Sequence, residues 1–517
     1  MGMCMVNLYQ WQTECIDRWV ENGCRGIAHV VTGAGKTVMA LAAAGRIRNR
    51  YPGQVQVRIV VPKIDLAKQW KNEIFSYFSK DGIERKDIGL YYGKVKNHPD
   101  LPFVIYVINT AREVLSGHIQ KDMEQNKHVL LICDECHRAA GPENRRIFSF
   151  RSSRLFQADL YHCIGLSGTP YCDNFEEVLV PALGGVFYVY DVAAAKSGKQ
   201  INDFAVIHTE VSLNGAEAAE YGELCVQISV LYAKMLKANN VLKHMAYTEF
   251  IKTVRECAAE EPGSIYDQYL NKIQKRRKLI YEAANRIPCV ISLINRIGVK
   301  EKIILFTERR EQTDEVYRKL LPVYGNRIVH YHSGMDHRMR REQLDLFRIG
   351  EARILVACKA LDEGLDVPDA SAGIVISCTG TQRQRVQRLG RIIRKKDGKP
   401  VSRLFYIHTA NTVESSYYLT DLPEDTVTMR ITYDGESDRF YNTAYEDAAV
   451  HVYRQLESHM SQKMKNEFVK CLEEGLTECD WLMNSDYLQR QMQKCSDQHE
   501  KNYWFIMQKL SETEQEN

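Results

Sequence analysis

Thr32-Gly33-Ala34-Gly35-Lys36-Thr37 brings two glycines, a lysine and a hydroxyl into one short loop, the set needed to hold a polyphosphate. Gly33 and Gly35 let backbone amides approach phosphate oxygens, Lys36 can reach the β- and γ-phosphates, and the Thr37 hydroxyl can ligate Mg²⁺. A G-x-G-K-[ST] string arises by chance in roughly 2% of chains this long. Its setting narrows that further, because the apolar run 26–31 precedes it and the helix-forming run 38–44 follows it. Strand, loop, helix is the order a phosphate cradle requires. One position departs from the general pattern: Val30 stands where the first glycine would be.

A second group of reactive side chains is Asp134-Glu135-Cys136-His137, directly after the apolar run 129–133. A carboxylate pair at the carboxyl end of a buried strand stands where α/β sheets bind ligands. Asp134 is suited to hold Mg²⁺, and Glu135 to orient and deprotonate an attacking water. The same stretch, Cys133-x-x-Cys136-His137, also matches a haem-attachment pattern and a zinc half-site. Haem attachment needs an exported context, and no second Cys-x-x-Cys completes a zinc site, so neither is adopted. Asp81, Glu84 and Lys86 imitate a nuclease triad but lack a strand context, and no nuclease is assigned.

These groups need a scaffold of buried strands. Short β-branched runs at 26–31, 55–61, 104–108, 129–133 and 163–166, interleaved with helix-like periods, read as a parallel sheet. A second series at 303–307, 328–332, 354–357, 373–377 and 404–408 repeats the pattern. Between them, residues 220–237 and 265–284 show helical spacing without strand runs. Beyond 421 come one possible strand, 427–433, and then helical patterning. The expected fold class is therefore α/β: two tandem parallel-sheet domains (1–212 and 299–420), a helical insertion (213–298) and a mainly helical C-terminal extension (421–517).

Residues 32–37, 134–137 and Ser167-Gly168-Thr169 resemble motifs I, II and III of the superfamily 2 helicases, with a DECH form of the DEAD/DEAH box. Residues 359–368, running from Lys359 to Pro368, are similar to motif V, and residues 387–394 to motif VI. Leu8 with Trp11-Gln12 resembles the adenine-reading element, Val61-Pro62 through Gln69-Trp70 motif Ia, and Phe306-Thr307 motif IV. The motifs stand in family order over residues 8–408. The region 184–213 and motifs V and VI resemble the branch that holds repair helicases and restriction-type motor subunits.

The resemblance implies two RecA-like domains with ATP and Mg²⁺ between them. Lys36, Thr37, Asp134 and Glu135 come from the first domain, and Gln387 with the arginine fingers Arg391 and Arg394 from the second. It implies adenine recognition by Gln12 and a sensing role for Gly364 and Asp366. It also implies a strand held by its phosphates, for which Pro62, Lys63, Thr110, Arg112, Ser333, Gly334 and Lys359 are the candidates. DNA is favoured over RNA as the track. The principal alternatives are an RNA helicase and an ATP-gated binding or signalling subunit.

Composition fits this reading without carrying it. The 517 residues are 26% charged and 44% hydrophobic, room for about three domains of a globular protein. The net charge of +3 gives no overall attraction to nucleic acid, so a polyanion site must be local. The basic run 272–278 reads as a solvated helix face. Fifteen scattered cysteines fit a reducing interior. No signal peptide or bilayer-length apolar run is seen, so the expectation is a cytoplasmic protein without a membrane partner. The motor begins close to the first residue, so a protein partner is expected through the insertion or the extension.

Overall fold

The computed structural model describes residues 8–201, 204–298, 300–358, 370–377, 402–416, 427–441 and 485–496, with isolated positions beyond. The chain divides into two units, each built on its own eight-stranded sheet.

The first unit opens with α1 (Gln10–Glu21), then β1 (Ile27–Val30), α2 (Lys36–Arg50), β2 (Val55–Val61), α3 (Ile64–Phe78), β3 (Ile88–Tyr92), β4 (Val95–Lys96) and β5 (Phe103–Val107). It continues through α4 (Ile108–Glu124), β6 (His128–Asp134), β7 (Tyr161–Ser167), α5 (Val180–Leu183), β8 (Val186–Tyr190) and α6 (Val192–Ser197). The strand order is β4-β3-β5-β2-β6-β7-β1-β8, parallel except for the β3/β4 pair. β2 is buried at every position, as a strand covered on both faces must be. Arg58 on β2 is accommodated because its guanidinium forks onto Asp122 of α4, with both N···O distances 2.8 Å. Leu115 and Ile119 of α4 pack over Val104, Leu131 and Cys133, and each such buried aliphatic side chain contributes about 2 kcal/mol.

The second unit begins with β9 (Phe204–Val211) and a helical excursion, α7 (Gly215–Ala238), α8 (Tyr247–Glu260) and α9 (Ile265–Tyr281). Next come α10 (Arg286–Ile297), β10 (Ile303–Phe306), α11 (Arg310–Tyr324), β11 (Ile328–Tyr331), α12 (His337–Ile349) and β12 (Ile354–Ala357). β13 (Ala372–Val375), β14 (Ser402–Thr409), β15 (Val427–Asp434) and β16 (Arg439–Tyr441) complete the order β11-β12-β10-β13-β14-β9-β15-β16.

Two expected boundaries move. Residues 204–211, inside the expected first domain 1–212, form a strand that pairs in parallel with both β14 and β15 and so belongs to the second unit. α10, expected in the insertion, buries Val290, Leu293 and Ile294 in the core of the second sheet, so the free-standing helical part is 215–281. That part has its own apolar cluster of Ile228, Met235, Leu242, Phe250, Val254 and Tyr269. The described part of the extension joins the second sheet: β15 and β16 extend it, and Ile431, Tyr433, Phe440 and Leu488 enter its core.

Arg286 ties these pieces together. Its buried guanidinium donates to the carbonyls of Ile376 and Ile407, to Thr409 Oγ1 and to Glu414, spanning the ends of β13 and β14.

Candidate active site

The phosphate loop leaves β1 and enters α2 through two left-handed glycines, Gly33 (φ +92°) and Gly35 (φ +100°). Gly35 is the N-cap of α2 and no side chain caps that helix, so its first-turn amides and dipole face the loop. The left-handed φ of Gly35 favours glycine, and a Cβ there would lie 2.9 Å from Gln12 Nε2 and push that amide aside. Gln12 is buried; its Nε2 donates to Gly35 O (3.0 Å) and its Oε1 accepts from Tyr9 N (2.9 Å). The residue expected to read adenine thus also anchors the loop to the start of α1.

Asp134 and Glu135 stand at the carboxyl end of β6. β7 lies between β6 and β1, so the acidic pair and the loop are two strand spacings apart, about 10 Å between strand axes. Long side chains close the gap: Lys36 Nζ is 3.5 Å from Glu135 Oε1, with the two side chains 10% and 14% exposed. Glu135 is left-handed (φ +48°), a conformation that turns the chain sharply off the strand at a cost of order 1 kcal/mol. Its amide donates to Asp134 Oδ1 (3.0 Å), and Trp70 Nε1 donates to Asp134 Oδ2 (2.9 Å). Burial and the adjacent Glu135 push the Asp134 carboxyl up to about 6, while Lys36 and the Trp70 indole pull it back towards ionisation.

The third motif closes the network from β7. Ser167 Oγ accepts from Thr169 N (3.0 Å) and sits 2.9 Å from His137 Nδ1, and that nitrogen is 3.6 Å from Glu135 Oε2. His29 of β1 is 3.0 Å from Gly168 O. The hydroxyls of Thr32 and Thr169 are buried without a hydrogen-bond partner among the described residues. An uncapped helix N-terminus, two orphaned hydroxyls, a lysine and two carboxylates form a donor and acceptor set that fits a polyphosphate with a hard divalent cation.

Cys133 and Cys136 are fully buried, and burial raises both thiols far above neutrality, so neither offers a ready thiolate for metal or redox work. The metal-capable grouping among the described residues lies elsewhere, at Asp314, His330 and His332. His332 Nε2 and His330 Nε2 approach Asp314 Oδ1 at 2.9 and 3.5 Å. His332 Nδ1 accepts from Gly334 N (3.1 Å), so its proton is on Nε2 and points at the carboxylate. A metal-bound histidine needs an acceptor behind its other nitrogen, whereas here one such nitrogen faces a donor and the other, His330 Nδ1, is buried without a partner. The trio therefore pins the 332–335 turn.

In the first sheet the expected strand-binding residues fall at the carboxyl ends of their strands, as the acidic pair does. Pro62 and Lys63 follow β2, with Lys63 the N-cap of α3, and Thr110 and Arg112 lie in the first turns of α4 after β5. β5 and β2 adjoin each other and then β6, so these four stand beside the acidic pair along one rim. Ser333 and Gly334 follow β11 at an edge of the second sheet. Lys359, Gly364, Asp366, Gln387, Arg391 and Arg394 lie outside the described residues. Trp70 was recognised in the sequence only as part of a motif; nothing in the chain signals that its indole reaches a carboxylate 64 residues away.

Comparison with known proteins adds the following. The family model described as "Type III restriction enzyme, res subunit" matches residues 5–172, and that of "Helicase conserved C-terminal domain" matches residues 285–396. The chain is 32% identical over 401 residues to the DNA 3'-5' translocase XPB2 of Sulfurisphaera tokodaii, covering 76% of this chain and 80% of that one. It is 25% identical over 420 residues to the putative DNA 3'-5' helicase Rad25 of Haloarcula marismortui, covering 80% of this chain and 54% of the relative, about half that protein's length. The solved structure of the DUF1998 helicase MrfA bound to DNA and AMPPNP has a TM-score of 0.54 over 79% of this chain and 49% of that one, at 14% identity, a likeness of fold. No helix among the described residues is long and apolar enough to cross a membrane.

Proposed function

The chain belongs to the XPB-like branch of the superfamily 2 helicases, and from that premise we propose that it is a DNA-dependent ATPase that moves along its track. The observation that carries the reading is the Lys36–Glu135 pair beside Asp134, with a cation, a base and a metal-binding carboxylate converging on an uncapped helix N-terminus.

In this reading the amides of the loop and Lys36 hold the β- and γ-phosphates, and Gln12 keeps the loop in register while reading adenine. Thr37 and Asp134 would hold Mg²⁺, which would supply charge neutralisation on the phosphates. Glu135 Oε1 takes the proton of the attacking water once Lys36 turns to phosphate. His137 and Ser167 hold the turn after Glu135 and relate it to β7. Arg391 and Arg394, with Gln387, are assigned the charge-stabilising role of arginine fingers, and Gly364 and Asp366 the sensing role.

DNA is chosen over RNA because the relatives named above are a DNA translocase and a DNA helicase. The track is held through Pro62, Lys63, Thr110 and Arg112 on one sheet and Ser333 and Gly334 on the other, with Lys359 assigned to the same role. A cytoplasmic protein partner, docking on the helical part or the extension, completes the proposal; Val226, Val230 and Tyr247 of the helical part are exposed apolar side chains suited to it. A triplex-displacement assay tests the motor directly. ATP-dependent release of a third strand from duplex DNA supports it, and release from no substrate, or only from RNA duplexes, overturns it.

A further inference from the structure

Trp70 is 1% exposed, and its indole offers one donor on an otherwise apolar body. That donor is spent on Asp134 Oδ2 (2.9 Å), while Asp134 Oδ1 is held by the amide of Glu135 (3.0 Å). The magnesium carboxylate is therefore gripped from two independent sides, by the turn that follows it and by a helix from elsewhere in the chain. That helix is α3, whose N-cap is Lys63. Trp70 lies seven residues further on, two helical turns and about 10 Å along the axis, on the same helical face as Lys63. Leu66, Ala67 and Ile74 of α3 are also buried, so the helix is packed against the sheet along its length. Other buried indoles in this unit do different work: Trp19 Nε1 donates to the backbone carbonyl of Cys163.

Resting on the reading of a DNA-stimulated ATPase, we propose that Trp70 is a positioning residue that couples α3 to Asp134. Contact with the track at the start of α3 sets the orientation of the metal-binding carboxylate through the indole N–H. Without that N–H the carboxylate keeps one anchor and rotates about its last bond. Loss of an outer-shell partner of this kind typically costs about 10- to 100-fold in metal affinity or activity.

The test replaces Trp70 in the full chain with benzothienylalanine, which keeps the shape of the indole and lacks the N–H; Trp70→Phe is the encoded companion. ATP hydrolysis is titrated with Mg²⁺, with and without duplex DNA, for both variants, for wild type and for the same isostere at position 19. The proposal expects the position-70 variants to need about tenfold more Mg²⁺ and their DNA-stimulated rate to fall towards the basal rate. Nucleotide binding in EDTA and the melting temperature should match wild type, and the position-19 isostere should keep wild-type Mg²⁺ dependence and stimulation. A folded position-70 isostere with normal Mg²⁺ dependence, or with a raised Mg²⁺ requirement but full stimulation, overturns the coupling. Wild-type protein that no DNA stimulates would instead overturn the functional reading on which it rests, and the two failures are told apart by that single control.

Discussion

Lys36 Nζ lies 3.5 Å from Glu135 Oε1, although the strands that deliver them, β1 and β6, are separated in the sheet by β7. In the proposed reading the pair ties the phosphate-holding cation to the proton-accepting carboxylate, so their substitutions should separate binding from chemistry. Lys36→Ala should raise the KM for ATP and lower turnover together. Glu135→Gln should leave nucleotide affinity within about threefold and reduce kcat by about 100-fold or more, the usual weight of a general base. Fluorescent-nucleotide binding alongside steady-state hydrolysis checks both.

Gln12 bonds to Gly35 O, and its side chain occupies the space a Cβ on residue 35 would need. Gln12→Ala removes that bond and the acceptor for the Tyr9 amide, which should weaken ATP by about 1–2 kcal/mol, or roughly tenfold in KM. Gly35→Ala adds both a φ penalty and a collision, and should cost more than Gln12→Ala in the same measurement.

Arg58 and Asp122 form a buried bidentate pair across β2 and α4. Asp122→Ala leaves a cation buried without its partner and should destabilise the first unit by about 3–5 kcal/mol. Replacing both by Met and Leu should recover most of that loss. Urea denaturation of wild type and the two variants distinguishes the costs, and equal losses for single and double variants would contradict the account.

His162 on β7 and His128 on β6 meet at the amino ends of their strands, 3.2 Å apart, with Tyr51 stacked on His128. Burial first, then His128, Arg50 and Arg25, lower the His162 pKa from 6.5 to about 4. Between those values the unfolded chain binds a proton that the native state refuses. Stability is therefore fully present above about pH 6.5 and falls as the pH drops towards 4, by at most about 3 kcal/mol. Melting temperature against pH should show this slope, and His162→Phe should flatten it.

Asp314 holds the His332 N–H, and His332 in turn accepts from Gly334 N. Asp314→Ala should loosen the turn and weaken DNA binding several-fold, with ATP hydrolysis in the absence of DNA unchanged. Because the ring nitrogens behind the trio lack acceptors, neither Zn²⁺ nor EDTA should move the melting temperature. A zinc-induced rise abolished by His330→Ala would contradict the assignment.

The phosphate loop and the acidic pair were legible because their chemistry is local: consecutive residues at strand ends, bracketed by β-branched runs and a helix. The strands 55–61, 303–306 and 354–357 were equally plain, since burial on both faces leaves an unbroken apolar run. What escaped the sequence was pairing. Residues 204–211 are not among the strand runs read from the sequence and fall inside the first domain by chain order; their hydrogen bonds to β14 and β15 place them in the second sheet. α10 has a clean helical period, but a period does not say which sheet the helix covers. Trp70 and Asp134 are far apart in the chain, and their bond depends on how α3 lies against β2, β5 and β3.

The central claim is tested most directly by steady-state ATP hydrolysis of the purified full chain, with Glu135→Gln as the blank, in the presence of duplex DNA, single-stranded DNA, single-stranded RNA or no polymer. The account predicts hydrolysis above the blank that DNA raises several-fold and RNA does not. Rates at the level of the blank under every condition, or stimulation by RNA alone, would contradict it.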